Sequence, residues 1–125
     1  SGGKGRILHV EDDPDILQVV SALVEGLAKI VPAKTLSEAK SLLEQQSFDL
    51  VVLDLTLPDG DGMELLPLLK GGARRPTPVI AFSAKDISEQ MAGSIKAALV
   101  KSKTSNEALL ATIRSSIEEQ KSRNE

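Results

Sequence analysis

Short, unbroken apolar runs separated by helical patterning constrain this chain more than any other feature. Ile7-Leu8-His9-Val10 and Leu50-Val51-Val52-Leu53, the latter within a strand over Asp49–Asp54, lack the alternation of a half-exposed strand. Both faces of such runs need cover, as in a parallel sheet flanked by helices. Three weaker segments fit the same role: Ile30–Lys34, whose Pro32 suits an edge position, Pro78–Phe82 and Ala97–Val100. Helix signals fill the gaps. Asp13-Pro14 is an N-cap with Pro at the first helical position, leading into Ile16, Leu17, Val20, Leu23, Val24 and Leu27, with Gly26 near the end. Thr35-Leu36-Ser37-Glu38 is a capping box for a helix through Gln46. Asp61 and Glu64 open a third helix, with Pro67 inside it and expected to bend it. A stretch holding Gly93 supplies a fourth, and Thr104-Ser105-Asn106-Glu107 caps a last helix with Leu109, Leu110, Ile113 and Ile117 on one face. Five strands alternating with five helices predict an α/β fold, a doubly wound five-stranded parallel sheet.

The 125 residues suffice for one domain with a core. Residues 1–5 read as a tag or linker remnant, 6–120 as the domain and 121–125 as a fraying tail. Without cysteine, thiolate metal sites and thiol nucleophiles are excluded. The net charge of -3 and the lack of a basic stripe argue against direct nucleic-acid binding. No apolar stretch approaches the ~18–20 residues of a membrane span, so a soluble, cytoplasmic domain is expected. Phe48 and Phe82 are the only aromatics, which leaves little for base stacking.

In open α/β sheets the functional crevice lies beyond the carboxyl ends of the strands. Glu11, Asp12 and Asp54 sit there, at or just beyond the ends of the two apolar runs. Like charges gathered at one spot need a cation or a proton to neutralise them, and carboxylates are hard-metal ligands. An Asp at a strand end can also act as a covalent acceptor of a phosphoryl group. That chemistry is mostly positioning and charge neutralisation, with Mg²⁺ held by one or two carboxylates. It asks further for a cation and a hydroxyl, and Lys101 and Ser83 follow two other strands.

Ile7-Leu8-His9-Val10-Glu11-Asp12-Asp13-Pro14, Val52 to Gly62, Phe82-Ser83-Ala84 and Val100-Lys101 together resemble a response-regulator receiver domain. The likeness spans nearly the whole chain. It implies a flavodoxin-like sheet of strand order 2-1-3-4-5 and a phosphoacceptor at Asp54. It also implies Mg²⁺, replaceable by Mn²⁺, on Asp12, Asp54 and the backbone carbonyl of Thr56, with Glu11 acting through water. Lys101 would pair with the phosphoryl group and Ser83 would move to bond it; Thr56 and Lys85 would tune its lifetime. The implied partner is a histidine kinase or histidine phosphotransfer domain. The domain would catalyse only its own modification, and the chain reads as a piece of a hybrid kinase or multidomain regulator. Some members dimerise through the fourth and fifth helices, so a weak homodimer belongs among the expectations.

Three departures from the family pattern matter. Ser102 replaces the usual proline after the lysine, which predicts a less rigid lysine loop. Ala98 replaces an aromatic, so an aromatic rotamer switch coupled to Ser83 is not available. The Ser83–Lys101 interval is about one helical turn short, which predicts a short or irregular fourth helix. These departures keep a second reading open, a degenerate receiver acting as a binding module. A third, an Asp-nucleophile phosphohydrolase, needs a second Asp where Thr56 stands. His9, within an apolar run, is expected to pack in the core rather than carry phosphate. Asp59-Gly60-Asp61-Gly62 resembles part of a calcium loop but lacks the remaining ligands, so turn and N-cap account for it. Arg74-Arg75 reads as a solvated loop pair.

Overall fold

The computed structural model describes residues 5–71, 76–86, 93 and 95–124. The main sheet comprises β1 (Gly5–Val10), β2 (Ala28–Ala33), β3 (Leu50–Leu53), β4 (Val79–Ser83) and β5 (Ala97–Val100). All neighbours are parallel, in the order β2-β1-β3-β4-β5. The doubly wound order 2-1-3-4-5 is therefore present. The described α-helices are α1 (Pro14–Leu23), α2 (Leu36–Gln45), the four-residue α3 (Leu66–Leu69) and α4 (Asn106–Asn124). The fourth of the five helices expected, between Ser83 and Ala97, falls on a segment mostly outside the described residues, in which Gly93 lies in a turn. Arg74-Arg75 also lies outside them.

Every residue of β3 is buried, as are Ile7 to Val10 of β1. Alternate side chains enter separate cores. Leu8, Val51 and Leu53 pack with Leu36 of α2 and Leu69 of α3 on one face, and Ile7, Leu50 and Val52 pack with Val20 of α1 and Ile113 of α4 on the other. Each such aliphatic side chain contributes roughly 1.5–3 kcal/mol on full burial. That double cover is why these runs show no polar alternation. Pro32 sits on edge strand β2 opposite His9, where a missing N–H costs no inner ladder bond.

Beyond one-residue shifts at several strand and helix ends, three elements differ from the sequence pattern. β2 begins at Ala28 rather than Ile30, because pairing with β1 starts at Gly5 opposite Ala28. Helix α1 stops at Leu23, and Leu27 belongs to the turn that follows, where its N–H donates to the Val24 carbonyl and Gly26 takes φ 85°. The third helix is not a bent continuous one. A 3₁₀ turn over Gly62–Leu65, boxed by Asp61 and Glu64, precedes α3, and Pro67 falls in the first turn of α3, where its missing N–H is tolerated.

The loop from Asp54 to Gly62 is tightly fitted. Thr56–Leu57 pairs with Gly60–Asp61 as a small antiparallel hairpin, and the Gly62 N–H donates to the Leu55 carbonyl at 2.9 Å. A Cβ at Gly62 would overlap the Asp54 carbonyl oxygen and touch Leu53 Cδ1. Gly62→Ala is expected to lower stability by about 1–3 kcal/mol in urea unfolding. Gly93→Ala, which meets nothing within 4 Å among the described residues, is the neutral comparison.

His9 packs in the core at 1% exposure, with Nδ1 lacking a partner among the described residues. Burial, reinforced by the Lys101 charge and opposed by that of Asp54, lowers its pKa from 6.5 to about 4. A histidine whose folded pKa is depressed stabilises the fold above its unfolded pKa, and that stabilisation is lost as the pH falls from 6.5 to about 4. The loss is on the order of 3 kcal/mol. In urea melts across this window, His9→Gln is expected to show a flatter decline than the parent chain. Parallel declines would contradict it.

Candidate functional site

The C-terminal ends of β1, β3, β4 and β5 each deliver one element of the site. At the end of β1, the Glu11 N–H donates to the Ala33 carbonyl of β2 at 2.8 Å, which continues the ladder and fixes Glu11 inside the protein. Its side chain is 1% exposed. Asp12, the next residue, is exposed. Asp13 turns away from the cluster as the N-cap of α1, its Oδ1 accepting from the Asp15 N–H at 2.9 Å. Its own N–H donates to Glu11 Oε2 at 3.2 Å.

Asp54 follows β3, and its N–H donates to the Val10 carbonyl at 2.9 Å. It is 5% exposed. Three donors converge on its carboxylate. Ser83 Oγ and the Thr56 N–H donate to Oδ1 at 3.1 and 3.2 Å, and Lys101 Nζ donates to Oδ2 at 3.3 Å. Ser83 is buried at the end of β4, whereas Lys85 beyond it is exposed. Carboxylate oxygens of Glu11, Asp12 and Asp54 lie within 4.8 Å of one another. The structure thus brings Glu11, Asp12, Asp54, Ser83, Lys101 and the Thr56 N–H together, and gives Asp13 the role of a helix cap.

Lys101 links the group. Its Nζ lies 2.7 Å from Glu11 Oε1, closer than its 3.3 Å to Asp54 Oδ2, and 6.0 Å from the centroid of the Phe82 ring. The sequence pattern did not show the Glu11 pairing or the Phe82 contact, because both depend on how β4 and β5 sit beside β1. Burial raises the Glu11 pKa to about 7, with the Asp54 charge acting in the same sense and Lys101 opposing. Burial also works against the Lys101 ammonium, but the bonds and charges of Glu11 and Asp54 outweigh it and raise its pKa.

Among the described residues three carboxylates face a single ammonium, so negative charge is in excess when all are ionised. The donor atoms are oxygens only, which suits a hard divalent cation over a soft one. A further acid, Asp59, serves structure instead: its two carboxylate oxygens accept from the Leu36 and Ser37 N–H groups at 2.8 and 3.1 Å, tying the hairpin to the start of α2. The Leu36 bond holds its pKa below the usual carboxylate range. The Asp59 to Gly62 segment is a turn with caps, as its sequence suggested.

The lysine turn is also defined. No peptide bond among the described residues is cis, and Lys101–Lys103 forms a 3₁₀ turn. Ala98 is exposed on β5. No helix among the described residues is long and apolar enough to cross a membrane.

Residues 7–114 match the family model of the response regulator receiver domain. The chain is 36% identical over 94 residues to the swarming motility regulation protein RssB of Serratia marcescens, covering 72% of this chain and 41% of that protein. It is 37% identical over 91 residues to the transcriptional regulatory protein BasR of Escherichia coli, covering 70% and 40% respectively. Over 86 residues it is 31% identical to the signal transduction histidine-protein kinase BarA of Shigella flexneri, covering 67% of this chain and 9% of that one. Among solved structures, the beryllofluoride-activated receiver domain of DrrB superposes with TM-score 0.76 at 28% identity, over 93% of this chain and 99% of that one. A CheY-like receiver domain protein from Methanospirillum hungatei superposes with TM-score 0.82 at 26% identity, over 97% and 99%. With its sheet order, its acidic cluster and a family match over most of its length, the chain belongs to the response-regulator receiver domains.

Proposed function

We propose that this domain, spanning residues 6–120, accepts a phosphoryl group on Asp54 from a phosphohistidine of a histidine kinase or phosphotransfer partner in the cytoplasm. The observation that carries the reading is the convergence of Ser83 Oγ, Lys101 Nζ and the Thr56 N–H on the two oxygens of one buried carboxylate. An Asp54 oxygen forms the new P–O bond as the donor's P–N bond breaks, and the imidazole departs with the electron pair and takes up a proton. Held by four strand ends, the acceptor needs little reorganisation, which is where phosphoryl transfer gains most of its rate. Lys101 and Ser83 are placed to hold the phosphoryl oxygens after transfer, Lys101 by charge and Ser83 by its hydroxyl proton.

Asp12, Asp54 and the Thr56 backbone carbonyl are the proposed ligands of Mg²⁺ or Mn²⁺, with Glu11 reached through water. The all-oxygen donor set and its excess negative charge support that assignment. The bound cation supplies neutralisation of the charge that carboxylates and phosphoryl oxygens would otherwise oppose to one another. The reaction is self-modification, not turnover of a free substrate; Thr56 stands where a phosphohydrolase of this type would need its second Asp. Acyl phosphate on Asp54 then biases a two-state equilibrium through Ser83 and Lys101. With Ala98 on β5, that bias reaches a linked domain or partner without an aromatic rotamer switch.

Asp54→Asn is expected to abolish labelling by acetyl phosphate and Mg²⁺, followed by radiolabel or phosphate-affinity gel. Label that persists in this variant would sink the assignment. Chelation by EDTA is expected to remove labelling of the parent chain, with recovery on adding Mg²⁺. Lys101→Ala is expected to slow labelling by about 10²-fold, the scale of removing one preorganised charge-stabilising donor.

A further inference from the structure

A receiver-type lysine needs a fixed turn behind it, and this chain lacks the proline that would stiffen that turn. The structure holds the turn by other means. Thr104 Oγ1 donates to the Val100 carbonyl at 2.7 Å, closing the 3₁₀ turn Lys101–Lys103 across its ends. Val100 is the last residue of β5 and pairs with Ser83 of β4. The bond therefore ties the turn to the strand end that faces the site hydroxyl, and Lys101 lies between the two bonded residues.

Thr104 is free to do this because capping of α4 falls to its neighbour. Ser105 Oγ accepts from the Ala108 N–H at 3.0 Å, and the Ser105 carbonyl accepts from the Leu109 N–H at 3.0 Å. Thr104 is half-buried, so its hydroxyl is partly shielded from competing water. Lys101 itself makes two ion pairs, at 2.7 Å to Glu11 and 3.3 Å to Asp54, that depend on where the turn places its Cα. A long ammonium side chain carries much rotamer freedom, so a loosened turn spreads Nζ over positions that miss both carboxylates.

We propose that Thr104 is a positioning residue for Lys101: its hydroxyl-to-carbonyl bond to Val100 does what proline does in the family pattern, and so sets the lysine's reach to Glu11 and Asp54. The consequence for phosphoryl transfer rests on the proposed role of Asp54, but the consequence for the ammonium does not. Two readouts keep them apart. In the unphosphorylated protein at low temperature, ¹H–¹⁵N correlation of lysine ammonium groups is expected to show a protected Lys101 Nζ signal, assigned by its loss in Lys101→Ala. Thr104→Val, which keeps the shape and removes the hydroxyl, is expected to lose that protection, and Thr104→Ser to retain it. Labelling by acetyl phosphate is expected to fall about tenfold in Thr104→Val and to recover in Thr104→Ser.

Thr112→Val controls for loss of a threonine hydroxyl as such, since half-buried Thr112 makes the same kind of bond within α4, from Oγ1 to the Ala108 carbonyl at 2.9 Å. Circular dichroism melts establish that each variant is folded at the working temperature. A protected Lys101 signal and parental labelling in Thr104→Val would overturn the proposal, as would equal losses in Thr112→Val. If Thr104→Val does not fold, Thr104→Ala and Thr104→Ser carry the same comparison. Normal protection in the parent chain without any labelling would count against the acceptor role of Asp54 and leave the proposal on the ammonium to be decided by the variants.

Discussion

The site is organised around the ammonium of Lys101, which lies between two carboxylates that the sheet has taken out of water. Glu11 and Asp54 are almost wholly buried, and each arrives there because its strand is covered on both faces. Removing one partner from such a group leaves an uncompensated buried charge, which costs far more than an exposed ion pair contributes. The pocket is therefore electrostatically incomplete by design of the sheet. Asp12 adds a third carboxylate at the exposed rim, while the Lys101 ammonium offsets the two buried ones.

Position follows from topology. In the order β2-β1-β3-β4-β5, the central β3 has β1 on one side and β4 on the other, so Asp54 meets Glu11 from one neighbour and Ser83 from the next. Lys101 comes from the edge strand and must reach past β4. That reach explains why its turn needs the extra tether of Thr104, and why it lies over Phe82 on the way. The hairpin after Asp54 is held at both ends, by Gly62 against the Asp54 backbone and by Asp59 at the start of α2. Any displacement of that hairpin is thus felt at α2 as well as at the acceptor.

Much of this was legible in the sequence, and for a physical reason. The runs at Ile7–Val10 and Leu50–Leu53 announce two-sided burial, and parallel strands put their following residues at one edge, so Glu11, Asp12, Asp54, Ser83 and Lys101 could be placed together before any coordinates. What was not legible depends on tertiary contact. The end of α1 at Leu23 and the start of β2 at Ala28 are set by pairing with β1, not by the helical spacing of Leu27. Pro67 marks a break between a 3₁₀ turn and a short helix, which a hydrophobic pattern reads as one bent helix. The loose lysine turn expected from Ser102 is closed by a hydroxyl two residues on, and the Asp59 cap spans 23 residues to Leu36.

The central claim is that Asp54 is the covalent acceptor, and the most direct test reads the bond itself. After brief exposure to a phosphohistidine donor with Mg²⁺, borohydride reduction converts an aspartyl phosphate to homoserine, and peptide mass mapping locates it. Homoserine at position 54, and only when donor and Mg²⁺ are both present, is the expected result. Homoserine at another acidic residue, or phosphate found on His9 or Ser83 with position 54 unchanged, would contradict the account.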